Sequence, residues 1–66
     1  MSELVTTMRV QRARRDLTQA ELAALADVTR KSINAIEAGR MVPSVVLALR
    51  LAKALQVPVE ELFVLA

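Results

Sequence analysis

The 66-residue sequence has no cysteine and no histidine. No disulfide can therefore staple a small core, no thiolate or imidazole is available to build a nucleophile system, and a structural zinc is not credible. Glycine occurs once, at Gly39, which excludes the glycine-rich loops that cradle nucleotide phosphates. Glu60 and Glu61 are adjacent near the C-terminus, where they are expected in solvent and not as an acid/base pair. These absences argue against an enzyme and against any metal or cofactor. No apolar run reaches the ~18 residues that span a bilayer, and the first ten residues, MSELVTTMRV, hold no basic leader followed by an apolar segment. The expectation is a cytoplasmic protein with no membrane partner.

What is present is apolar: 55% of residues, with a mean hydropathy of +0.40. A core in a chain this short supplies only ~3 to 5 kcal/mol. With disulfides and zinc excluded, self-association remains as reinforcement, and some of the apolar surface is expected to meet a second copy. One domain, residues 1–66, is expected, with no room for a separate ligand-sensing domain.

The net charge of +2 says little, but its distribution says more. Residues 1–27 balance four arginines against four acids. Residues 28–53 carry Arg30, Lys31, Arg40, Arg50 and Lys53 against Glu37 alone, or +4, and the remainder carries −2. Positive charge sits in the middle of the chain, as a polyanionic partner would require.

Periodicity and capping signals predict five short helices. The first runs from about Thr7 to Arg15, with Thr6 or Thr7 as its cap, Met8 and Val10 as apolar contacts, and Asp16 at its end. Thr18 and Glu21 form a capping box at the start of the second, which buries Leu22, Leu25 and Ala26 and stops at Asp27 in a left-handed turn. Thr29 caps the third, from about Arg30 to Ala38, which buries Ile33 and Ile36 and ends at Gly39. Ser44 caps the fourth, with Val45, Ala48, Leu51, Ala52 and Leu55 on one face. Pro58 is expected at the first position of a final short helix that carries Leu62 into the core. Glu3-Leu4-Val5 and Phe63-Val64-Leu65-Ala66 have the composition of a small antiparallel ribbon.

Two helices joined by a three- or four-residue turn, the second presenting polar side chains, make the helix-turn-helix that enters the DNA major groove. Arg30 and Lys31 occupy the first turn of that second helix, where base-reading side chains belong. Arginine suits guanine, and Asn34 in the same face suits adenine.

The stretches LTQAELA, VTRKSINAIEAGR, Pro43-Ser44 and LAKALQVPVEELF resemble the Cro/repressor-type (XRE) helix-turn-helix family of transcriptional regulators, over about Met8 to Phe63. The likeness is strongest to its short cytolysin-repressor-like members. It implies an all-α, five-helix, lambda-repressor-like fold, a terminal ribbon, and a homodimeric repressor that binds double-stranded DNA at a palindromic operator. By the same resemblance Arg30, Lys31, Asn34 and Ala35 are the base-contacting face. Gln19, Thr29, Ser32 and Arg40 match phosphate contacts, and Arg12 with Glu37 a structural ion pair. Leu49, Phe63, Val64 and Leu65 form the candidate dimer interface. Asp27 departs from the usual turn glycine, and Gln11 and Ala26 replace larger or more apolar core residues, with Leu25 expected to compensate for Ala26. A protein-binding module, such as an antitoxin, is the alternative; it calls for an acidic or apolar face where this one is basic.

Overall fold

A computed structural model describes residues 3–66, and the chain there runs β1 (Leu4–Thr6), α1 (Met8–Arg14), α2 (Gln19–Ala26), α3 (Arg30–Glu37), α4 (Val45–Leu55), α5 (Val59–Leu62) and β2 (Phe63–Leu65). The five helices and the terminal ribbon are those expected. The strands are antiparallel, with Leu4 opposite Leu65, Val5 opposite Val64 and Thr6 opposite Phe63. The Ala66 N–H donates to the Glu3 carbonyl at 2.8 Å and extends the pairing by one step.

Hydroxyl side chains start the helices because the first backbone N–H groups of a helix have no internal acceptor. Thr18, Thr29 and Ser44 accept from the N–H groups of Glu21, Ser32 and Leu47, respectively. At α2 the box is complete, since Glu21 also accepts from the Thr18 N–H at 2.8 Å. The Thr18 backbone N–H, followed by the Thr18 hydroxyl, holds the Glu21 carboxyl below the ordinary carboxylate range. At α1 the two candidate caps divide the work. Thr6 accepts from the Met8 N–H and donates to the Leu62 carbonyl at 3.0 Å, while Thr7 donates to the Glu61 carbonyl at 2.8 Å. The start of α1 is thereby tied to the end of α5.

The first four helices end alike. Asp16, Asp27, Gly39 and Gln56 each have positive φ, and the N–H of the next residue returns to a carbonyl five positions earlier: Leu17 to Arg12, Val28 to Ala23, Arg40 to Ala35, Val57 to Ala52. These are Schellman turns, in which the left-handed residue turns the chain while closing the last carbonyls. Three of the four are not glycine and carry the ~1 kcal/mol or more that a Cβ costs there. A Cβ built on Gly39 would meet nothing within 4 Å, so φ of +77° alone accounts for glycine at that position.

The core comprises Met8, Leu22, Ala23, Ala26, Ile33, Ile36, Leu47, Leu51, Ala52, Leu55 and Leu62. Three expectations about it fail. Val10 is exposed, because the inward face of α1 is taken by Met8 and Gln11. Leu25 is 61% exposed and does not compensate for Ala26; the small pair Ala23 and Ala26 with Leu22 makes the inward face of α2, which packs against α3 and α4. Val45 is exposed and Leu47 buried, because Leu47, Leu51 and Leu55 at four-residue spacing form the inward ridge of α4. Gln11 is buried and still bonded, its Nε2 donating to the Thr7 hydroxyl at 3.4 Å. Pro58 stands one residue earlier than expected, at the cap position of α5.

Candidate nucleic-acid interface

Asp27, Val28 and Thr29 connect α2 to α3, and Val28 packs against the core beneath the turn. Ile33 and Ile36 fix one face of α3 to the core, so helical geometry turns Arg30, Lys31 and Asn34 to solvent, with Ala35 half-buried at the margin. Arg30, Lys31 and Asn34 line a concavity of about 360 Å³ with Gln19 from the start of α2 and Arg40 from beyond α3. Three of these five side chains are cationic and none is a carboxylate.

The nearby acid is turned inward. The Glu37 side chain is 1% exposed and accepts from Arg12 Nε at 2.8 Å and from Arg12 Nη2 at 3.2 Å. Gln19 Nε2 donates to the same carboxylate at 3.0 Å, and Arg9 lies 3.7 Å away. Burial pushes the Glu37 carboxyl up, but the hydrogen bonds from Arg12 and Gln19 and the charges of Arg12 and Arg9 outweigh it, leaving the group below its ordinary value. The same contact with Glu37 raises Arg12 against its own desolvation. Arg12 also donates from Nη1 to the Leu17 carbonyl at 2.9 Å. One ion pair therefore joins α1, the α1–α2 turn, the start of α2 and the end of α3, and sets the angle at which α3 is presented.

The polar side chains have limited donors to offer, and their internal bonds decide which remain. Gln19 has one amide N–H on Glu37 and the other without an acceptor among the described residues. The Thr29 hydroxyl accepts from the Ser32 N–H and donates to Ser32 Oγ at 3.1 Å, so it is committed to capping while the Ser32 proton stays available. Gln19 and Ala20 open α2, where N–H groups lack helical acceptors and favour an anion. Arg40 donates from Nη2 to Asn34 Oδ1 at 2.9 Å. The Gln19–Glu37 and Asn34–Arg40 contacts were not expected from the sequence. The second had a signal in principle, since a Schellman turn at Gly39 folds the next residue back toward the last turn of α3.

Among the residues suggested for a dimer interface, Leu49, Val64 and Leu65 are exposed. Phe63 is half-buried against the core and lines a shallow groove with Val5, Met41 and Val42. Val45 and Val46 are exposed on α4. Among the described residues no helix is long and apolar enough to cross a membrane.

The fold is shared with known proteins. An HTH-type transcriptional regulator of Methanothermobacter thermautotrophicus is 46% identical over 61 residues, covering 91% of this chain and 88% of the relative. The HTH-type transcriptional regulator YgzD of Bacillus subtilis is 43% identical over 52 residues, 79% of each chain. Among solved structures, the restriction-modification controller protein C.AhdI from Aeromonas hydrophila superposes with a TM-score of 0.79 at 33% identity over 82% of both chains. The clp gene regulator ClgR from C. glutamicum gives a TM-score of 0.75 at 30% identity, over 82% of this chain and 70% of that one. The helix-turn-helix family model HTH_3 matches residues 8–62, from the start of α1 to the end of α5, and the chain therefore belongs to the helix-turn-helix family.

Proposed function

We propose that the chain is a homodimeric, sequence-specific repressor that reads an approximately palindromic operator through α3. Membership of the helix-turn-helix family, with relatives named as transcriptional regulators, makes it a DNA-binding regulator of transcription. Pairing, the direction of control and the residue roles are our own reading. The observation that carries it is the concavity of Gln19, Arg30, Lys31, Asn34 and Arg40, cationic and without a lining carboxylate, at the solvent face of α3.

Arg30 is assigned to base edges, where a bidentate contact to guanine O6 and N7 supplies ~1 to 3 kcal/mol of discrimination. Lys31 and Asn34 complete the reading face, and Ala35 leaves room for a thymine methyl. Gln19, Arg40 and the Thr29–Ser32 pair hold phosphates and set the register. Each neutralised phosphate steepens the fall of affinity with salt by a slope of about −0.9. Two copies, joined through Leu49, Val64 and Leu65 with Phe63 behind them, would set their α3 helices in successive major grooves ~34 Å apart. In this reading the protein acts on DNA in the cytoplasm. A purely protein-binding role is disfavoured by the same basic face.

Selection of bound sites from random duplex DNA tests the division of roles. Arg30→Ala is expected to lose discrimination at one or two positions of each half-site, whereas Ser32→Ala weakens all sequences by a common factor. Identical changes in the two specificity profiles would refute the assignment.

A further inference from the structure

Asn34 lies on the α3 face assigned to base readout, and on its side-chain chemistry alone it would suit adenine, accepting from N6 through Oδ1 and donating to N7 through Nδ2. Its surroundings change that. Arg40 Nη2 is 2.9 Å from Asn34 Oδ1. A guanidinium has only donors, so the oxygen of the amide must face it and the flipped arrangement is chemically excluded. The contact is also held by the backbone. Gly39 at φ of +77° turns the chain, and the Arg40 N–H donates to the Ala35 carbonyl at 2.9 Å, which returns Arg40 to the last turn of α3.

We propose that Arg40 is a specificity-determining residue that, by engaging Asn34 Oδ1, converts Asn34 from a reader of adenine into a reader of hydrogen-bond acceptors, guanine O6 and N7 or thymine O4. The inference rests on the α3 reading above and deepens it. With Oδ1 occupied, Asn34 offers Nδ2, a donor, to the groove. The remaining lone pair of Oδ1 lies beside a cation whose own N–H groups repel the amino groups of adenine and cytosine. Guanine and thymine present acceptors at those places and gain from the same charge. Arg30 and Lys31, which line the same concavity, act in the same direction. Arg40 has four further N–H groups, so it can hold a phosphate while it orients Asn34. The phosphate would then fix Arg40, Arg40 would fix the amide, and the amide would read the base.

Site selection from random duplexes with the wild-type chain, Asn34→Ala and Arg40→Ala tests this. The base position read by Asn34 is the one whose preference disappears in Asn34→Ala. There the wild type is expected to select guanine or thymine, and Arg40→Ala to shift the guanine-to-adenine ratio toward adenine by about tenfold or more. Adenine or cytosine at that position in the wild type overturns the proposal. So does an Arg40→Ala variant that weakens all sequences equally, or the absence of any position dependent on Asn34. Should Arg40→Ala bind too weakly for selection, the wild-type base at the Asn34 position decides alone. A wild-type chain that selects no sequence at all would instead refute the reading of α3 on which the inference rests.

Discussion

Replacing Arg12 by alanine is expected to be the most damaging exposed-side change in the molecule. Its side chain is 18% exposed, but that of Glu37 is 1% exposed, so the substitution strands a buried charge. Removing one partner of such a pair costs ~3 to 5 kcal/mol. Here the loss is tempered, because Gln19 still donates to Glu37 at 3.0 Å and Arg9, now at 3.7 Å, can swing closer. A destabilisation of about 2 to 4 kcal/mol follows. That equals most of what a core in so short a chain supplies, ~3 to 5 kcal/mol. Arg9→Ala is the internal control: its side chain is 74% exposed and its contact long, so it should cost no more than about 0.5 kcal/mol. Urea unfolding followed by circular dichroism measures both, and a double-mutant cycle with Glu37→Gln should give a coupling of ~1.5 kcal/mol or more. If Arg12→Ala were as mild as Arg9→Ala, the pair would be a solvated surface contact and the argument that it sets the angle of α3 would fail.

Three further outcomes follow from the same geometry. Asp27→Gly removes a Cβ from a residue at φ of +56° and should raise stability by about 0.5 to 1 kcal/mol after glycine's greater unfolded freedom is deducted; an unchanged or lower urea midpoint would show the turn to be unstrained. Because the folded Glu37 carboxyl lies below its ordinary value, its contribution is present above about pH 4.3 and is lost as pH falls through the folded value. Glu37→Gln should therefore flatten the acid limb of a stability–pH curve, and an equally steep limb in that variant would assign the acid sensitivity to other carboxylates. Leu65→Glu, at an exposed residue of β2, should convert the proposed dimer to a monomer in sedimentation, whereas an unchanged mass would place the interface elsewhere.

Much of this structure was legible in the chain because its signals are local. A Thr-x-x-Glu box, a Ser or Thr ahead of each apolar run, and Asp27 and Gly39 as left-handed stops delimit α2 and α3 to within a residue and fix the start of α4, whereas the left-handed Gln56 that ends α4 carries no such signal. The inward faces were less legible. Val10 and Leu25 are apolar and lie next to buried Gln11 and Ala26, yet a helix of seven or eight residues has too few turns for periodicity to choose between adjacent faces, and Val45, in the first turn of the longer α4, falls outside the ridge of Leu47, Leu51 and Leu55. The choice was made by tertiary partners: Arg12 must meet Glu37, which directs α1, and Ala23 and Ala26 allow close packing of α2. For the site, the positions of Arg30, Lys31 and Asn34 follow from the location of the turn. The hydrogen bonds of Gln19 and Asn34 do not, because they join side chains whose proximity only the folded chain creates.

In the proposed function the first turns of α3 read base edges. NMR titration of the ¹⁵N-labelled protein tests it most directly, comparing a duplex obtained by site selection with the same duplex carrying scrambled half-sites. The Arg30 Nε–H and Asn34 Nδ2 resonances are expected to shift with the selected duplex and to differ in the scrambled one, while the backbone N–H groups opening α2 respond to both. Side-chain resonances of α3 that stay unmoved while DNA binds would contradict it.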